Sequence, residues 1–291
     1  MNETENQNMT LTHGILWDRL LRLECGSVPS SKSFGIYAAR SQAVSALVEE
    51  LFFWLIKEEK LEAFFEIGAL RAQASRKVSR LKENKLPIFA AEANPVTWDS
   101  VNASIDFGSM GIHYLHKAIG FGKDKVEIHV PVLKNGFLGV SMSSLNVQRS
   151  TSREYVTYEV PCQTLDDFVN ENLSSHSGKF GLWIDVEGAG LEVLRSGICT
   201  LKNTSIAYIE VEDGTIWENP NYAFEVLALL DKFCLVPVLR DHQHESVWNL
   251  LAVSEEVYKR HFTQIVKTLK SVRQTLNPLN IEEENLEGDE L

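Results

Sequence analysis

The sequence predicts an α/β fold built on a largely parallel, doubly wound sheet. Three observations carry that prediction. From residue 61 onward, short apolar runs alternate with amphipathic helical stretches. Several of the runs end in an acidic residue close to a glycine or an Asn-Pro pair. Helical stretches open on good caps, Asn94 before Pro95 and Thr164 before Leu-Asp-Asp.

The elements follow in order. Ile15, Leu16, Leu20, Leu21 and Leu23 cluster at near-helical spacing, and a turn-rich linker, CGSVPSSKSFG, separates them from a stronger helix over Ala43–Lys60. There Val44, Leu47, Val48, Leu51, Phe52 and Leu55 form one apolar stripe. Residues 11–60 are thus a helical extension. Ala63–Ile67 reads as a buried strand, Ala69–Glu83 as a helix, and Pro87–Ala91 as a second strand. A helix opens at Asn94-Pro95, and Gly111–Leu115 is a third strand. Lys125–Val160 alternates in β fashion and reads as an inserted hairpin region. A short helix over Leu165–Leu173, a strand over Phe180–Val186 and a helix over Gly190–Ser196 come next. Ser205–Val211, Cys234–Leu239 and Ser246–Val253 are strands, with a helix over Tyr222–Leu230 between the first two. The last two strands, joined by the polar loop RDHQHE, are expected to be antiparallel. An amphipathic helix over Glu255–Leu269 closes the fold.

Composition narrows the function. With 291 residues, 44% of them hydrophobic, the chain can bury a full core. A formal net charge of −12 argues against nucleic acid as partner, because phosphate contacts need a basic face. Residues 1–10 and 282–291 carry acids and no base, and the ends (1–10 and 273–291) read as disordered tails. The four cysteines, Cys25, Cys162, Cys199 and Cys234, form no CxxC, which excludes a thiolate zinc site and suits a reducing cytoplasm. No signal peptide or membrane span is expected.

Chemistry in such a sheet sits beyond the carboxyl ends of the strands, and four of them carry acids. The first is Glu66-Ile67-Gly68-Ala69, where glycine lets the backbone approach a ligand; the plain alternative is a strand–helix turn. The second is Glu92-Ala93-Asn94, about 24 residues beyond Gly68, the span of one βαβ unit, with a carboxylate able to accept both hydroxyls of a ribose. The third is Asp185-Val186-Glu187-Gly188, with two acids at i and i+2. The fourth, Glu210-Val211-Glu212-Asp213, offers acids that orient a substrate, accept a proton or bind a metal. His242 and His244 lie in the loop before the seventh strand. No HExxH, GxSxG, Walker A or full GxGxxG motif is present, so metalloprotease, hydrolase and P-loop readings fall away and a dinucleotide oxidoreductase is disfavoured.

These strand ends together resemble the FkbM family of S-adenosylmethionine-dependent methyltransferases. The resemblance runs from about Leu61 to Val253. Its most specific piece is LDDFV followed by WIDVEGAGLEVLRSG, from Leu165 to Gly197, which looks like "tLDdf … KiDvEGaElevLrG". FEIGA at 65–69 resembles the first motif, usually "DiGAN.G", AEANP at 91–95 resembles "fEPnp", and IAYIEVE at 206–212 resembles the fifth-strand segment. Four positions depart from the pattern: Glu66 for Asp, Leu70 for Asn, Ala72 for the second Gly and Trp183 for Lys.

The resemblance implies a Rossmann-like class I methyltransferase fold, with seven strands and helices on both faces, over residues 61–272. It implies S-adenosylmethionine over Glu66, Gly68 and Ala69, with its ribose on Glu92 beside Asn94, and Asp185 and Glu187 at the methyl-transfer centre. Asp185, Glu210 and, more weakly, His242 are the candidate catalytic residues. The expected activity is O-methylation of a hydroxyl on a small molecule or glycan. No metal ligand set is expected, a Mg²⁺ held by Asp185 and Glu210 being the lesser alternative. The rival reading is a catalytically degenerate binding or scaffold protein, its cofactor loop altered at Leu70 and Ala72. The apolar stretch Ala43–Ile56 packs into its own core or, as the second option, caps the acceptor or forms a homodimer contact.

Overall fold

A computed structural model describes residues 34–149, 153–173, 178–212, 217–218, 222–241 and 247–276. The expected early helix, most of the linker, His242, His244 and both terminal tails beyond these bounds lie outside the described residues.

The first helix, α1, spans Phe34–Glu58. Strand β1 (Ala63–Ile67) then leads to α2 (Gln73–Leu81), β2 (Ile88–Glu92), α3 (Pro95–Ser104) and β3 (Ile112–His116). Three strands, β4 (Ala118–Ile119), β5 (Lys125–Pro131) and β6 (Tyr155–Gln163), form a separate small sheet. After it come α4 (Leu165–Asn172), β7 (Phe180–Ile184), α5 (Gly190–Arg195), α6 (Ile198–Lys202) and β8 (Thr204–Glu212). The chain closes with α7 (Ala223–Lys232), β9 (Leu235–Arg240), β10 (Val247–Ser254) and α8 (Glu255–Leu276).

The main sheet has the order β3-β2-β1-β7-β8-β10-β9. Its strands run parallel except β10, which is antiparallel to both β8 and β9. This is the seven-stranded, Rossmann-like class I methyltransferase fold. Strand β1 lies between β2, next in the chain, and β7, far along it, so the winding direction switches at β1. Clefts open at such switch points.

Burial explains why the strands read as unbroken apolar runs. All five residues of β1 and of β2 are buried, because helices cover both faces. On one face Phe52 of α1, Phe64, Tyr208, Leu251 and Ile265 share a cluster. On the other Phe65, Phe168, Ile184, Leu194 and Leu250 do so. A fully buried side chain of this size contributes about 1.5–3 kcal/mol, so the helix over 43–58 belongs to the core. Among the described residues no helix is long and apolar enough to cross a membrane.

Two departures from the sequence expectation are informative. Helix α2 begins at Gln73, not Ala69, because Leu70 (φ 46°) and Ala72 (φ 51°) adopt left-handed backbone. The helix also lacks a local cap. Its first amides, on Ala74 and Ser75, donate instead to the Glu66 carboxylate at 3.3 and 2.7 Å. The expected helix over Gly190–Ser196 is followed, across Gly197, by a second short one, α6. Asp166, from the LDDFV segment, accepts from the amides of Cys199 and Thr200 at 2.9 and 2.7 Å and so caps α6.

Candidate active site

A cavity of about 430 Å³ lies at the carboxyl edge of β1, β2, β7 and β8, within the roughly 300–1,000 Å³ of small-molecule sites. Ile67, Gly68 and Leu70 wall it from β1, Glu92 from β2, Asp185 and Glu187 from β7, and Glu210 from β8. Lys117 and Ala118 close one side. Residues Val140–Leu145, from the β5–β6 insertion, form a roof.

The roof is tied to both banks. Asn94 Nδ2 donates to Ser143 Oγ at 2.7 Å. Ser144 Oγ donates to the Glu187 carbonyl at 2.5 Å, and Asn146 Nδ2 to the Gly188 carbonyl at 2.7 Å. Sequence reasoning missed this segment, since SMSSLN carries no periodic signal; its serines and asparagine gain meaning only from the loops they meet.

The floor is set by close backbone contact between β1 and β7. The Asp185 amide donates to the Ile67 carbonyl at 2.9 Å. Gly68 has φ +80°, and a Cβ there would lie 1.9 Å from the Asp185 carbonyl oxygen. The glycine therefore serves the approach of the two strand ends.

Each candidate residue has a distinct setting. Glu66 is 3% exposed and points into the core beside α2; Glu66, Ala69 and Asn94 do not line the cavity. Burial raises its carboxyl to about 7 against the helix amides that oppose the shift. Glu92 lines the cavity, and its two oxygens accept from the amides of Leu70 and Asn94, both at 2.7 Å. Its carboxyl is raised by burial. Asn94 caps α3, its Oδ1 accepting from the amides of Val96 and Thr97 at 2.9 and 3.4 Å.

At the other bank the acids meet one another. Asp185 opens onto cavity solvent yet sits deep in the protein, and burial raises it to about 6. It accepts from the Trp183 indole and shares a hydrogen bond with Glu210. Burial first, then the charge of Asp185, pushes Glu210 well above the usual carboxylate range. Glu210 is raised in part by the charge of Asp185, so Asp185 is the carboxyl of the pair that ionises first as pH rises. Glu187 is raised to about 7 by burial and by Asp185. Glu212 is raised to about 8 by burial and by Glu187; it accepts from the Gly188 amide at 3.0 Å and from the Trp217 indole.

Trp183 explains its own departure from the motif. It lies flat on Tyr208, centroids 3.9 Å apart, and edge-on to Phe52. Its neutral N–H holds Asp185 in place without the charge that a lysine brings. His242 cannot be placed, since it lies outside the described residues.

The family model described as a methyltransferase FkbM domain matches residues 66–272. Among solved structures, one similar chain is a precorrin-6y C5,15-methyltransferase from Geobacter metallireducens (9% identity, 71% of this chain and 87% of that one, TM-score 0.38). Another is the magnesium protoporphyrin IX methyltransferase of Synechocystis PCC 6803 with bound SAM (9% identity, 82% and 91%, TM-score 0.39). A third is Aeropyrum pernix fibrillarin in complex with S-adenosyl-L-methionine (10% identity, 67% of each chain, TM-score 0.38). No curated protein matches the chain in sequence. The family match spans well over half of the chain and includes every strand end that lines the cavity, and the chain belongs to the FkbM methyltransferase domain family.

Proposed function

We propose that this chain is an S-adenosylmethionine-dependent O-methyltransferase that acts on a hydroxyl of a small molecule or glycan. The observation that carries the reading is the Asp185–Glu210 pair, two carboxyls that share a hydrogen bond and face the cavity at the ends of β7 and β8.

The residues fit the cofactor. Glu92 stands at the β2 end, where a ribose is held in nucleotide-binding sheets. The acids of the cavity wall pair with no described lysine or arginine, Lys117 being held by Glu171, and so suit a positively charged ligand; Glu210 Oε2 is sealed from solvent with no hydrogen bond from a described residue. S-Adenosylmethionine supplies a methyl group already activated on a sulfonium. The protein's part is to align the acceptor oxygen, which lowers a barrier by up to about 7–11 kcal/mol in favourable cases. An Asp185 carboxylate oxygen, ionised above about pH 6, takes the hydroxyl proton, a contribution of about 10²–10⁴-fold. While it keeps its proton, Glu210 donates to Asp185 and holds it. The segment Val140–Leu145 covers one side of the site.

One observation favours the second reading, a binding protein without turnover. Both Glu92 oxygens already accept backbone amides, and the loop beside them carries left-handed Leu70 and Ala72. Calorimetric titration with S-adenosylmethionine, S-adenosylhomocysteine and NAD separates the readings. Micromolar binding of the two adenosyl ligands, and not of NAD, is the expected result. Failure of all three to bind overturns the methyltransferase reading.

A further inference from the structure

We propose that Glu187, Glu210 and Glu212 form a binding site for a hard divalent cation of the Mg²⁺, Mn²⁺ or Ca²⁺ class, at the rim of the cavity. One carboxylate oxygen from each lies within 4.8 Å of the other two. Ions of this class bond oxygen at about 2.0–2.6 Å, so two ligand oxygens of one ion lie up to about 5 Å apart, a range that includes the spacing here.

Convergence of acids alone does not make a site. The second observation is Glu210 Oε2, sealed from solvent and accepting no hydrogen bond from any described residue. A buried carboxylate oxygen left without a donor costs about 1–3 kcal/mol, more when charged. When ionised, Glu187 and Glu212 are acceptors only and offer it no donor. Glu212 is already oriented by the Gly188 amide and the Trp217 indole, the arrangement in which outer hydrogen bonds fix a ligand carboxylate. No described lysine or arginine pairs with any of the three. A divalent cation supplies the missing partner to all of them at once.

The site differs from a pair built on Asp185 and Glu210. Asp185 is occupied by the Trp183 indole and by Glu210. On binding the cation Glu210 gives up the proton it shares with Asp185, which leaves Asp185 on the Trp183 indole and free to take a proton while the cation orients and acidifies an acceptor oxygen. That use rests on the proposed methyl transfer; the binding itself does not.

The test uses the full chain and the metal alone. Mn²⁺ is titrated by calorimetry, with its electron paramagnetic resonance signal followed in parallel. Saturable binding of one ion is expected, weakened about tenfold or more in Glu187→Gln and in Glu210→Gln, because each removes one of three anionic ligands. Glu159→Gln, on the small sheet, leaves it unchanged. No binding to the unaltered chain overturns the proposal. So does binding that survives both substitutions, which moves the ion elsewhere, for instance to the acids of residues 282–291. S-Adenosylhomocysteine is titrated on the same samples. Mn²⁺ binding without it keeps the metal site and sinks the methyltransferase reading, and the reverse result sinks the metal site alone. A cooperative unfolding transition confirms that each variant folds.

Discussion

The acids at the ends of β1 and β2 and those at the ends of β7 and β8 live under different rules. Glu66 and Glu92 accept four backbone amides between them, from Ala74, Ser75, Leu70 and Asn94. Both shape the chain: Glu66 starts α2 from within the core, and Glu92, which also lines the cavity, sets the loop after β1 against the loop after β2. Across the switch point, Asp185, Glu187 and Glu210 face one another and the cavity. Acids of the same type at equivalent strand ends thus differ in what fixes them, chiefly backbone amides on one bank and chiefly one another on the other.

Four changes break or sharpen that contrast. The largest effect is expected where the two banks touch. Gly68→Ala forces a Cβ against the Asp185 carbonyl and is expected to lower stability by about 3–5 kcal/mol, the scale of the most damaging core changes. Denaturant unfolding measures it, and a loss below 1 kcal/mol would show that the banks part easily. Next, Asp185→Asn is expected to reduce kcat about 10²–10⁴-fold with little change in cofactor affinity. Turnover and titration on one preparation separate these, and unchanged turnover removes Asp185 as the base.

The third change is pH. Asp185, Glu187, Glu212 and Glu66 titrate in the folded protein at about 6, 7, 8 and 7, against ordinary values of 3.8 for Asp and 4.5 for Glu. Between those limits the folded state binds more protons than the unfolded one, so stability falls as pH rises from about 4 to 8, by about 1.4 kcal/mol per pH unit per fully titrating group. Unfolding midpoints at pH 5.5 and 8 test this, and Glu187→Gln is expected to flatten the slope. A midpoint that rises with pH contradicts the settings assigned to these carboxyls. The smallest effect is expected from Ala72→Gly. Relief of left-handed backbone, about 1–2 kcal/mol, is offset by the entropy of glycine, leaving a gain of about 0.5 kcal/mol. A loss there would mean that the buried Ala72 methyl matters more than the strain.

Much of this was legible in the sequence. The strands of the main sheet announce themselves because burial on both faces leaves only apolar residues, and Asn94 and Thr164 mark helix starts by chemistry that needs no tertiary context. The limits have the same physical origin. Glu66 before Gly68 looks the same whether its carboxylate meets a ligand or a helix, since the deciding partners, Ala74 and Ser75, are ordinary residues. The left-handed Ala72 is invisible because alanine usually promotes helix. Ser143, Ser144 and Asn146 gain their role from atoms more than 40 residues away. Glu212 read as one more acid at a strand end; only its meeting with Glu187 and Glu210 distinguishes it.

The position of β10 has a consequence for how the molecule is made. It is the last of the described strands, yet it sits between β8 and β9. Until it arrives, β8 presents an open edge of buried apolar residues, and β9 has no strand to pair with at all. Translation at about 5–20 residues per second leaves that edge unfilled for several seconds after β8 emerges. A chain shortened before Val247 therefore loses two strands of the sheet, not one, and exposes the kind of edge that recruits a second molecule.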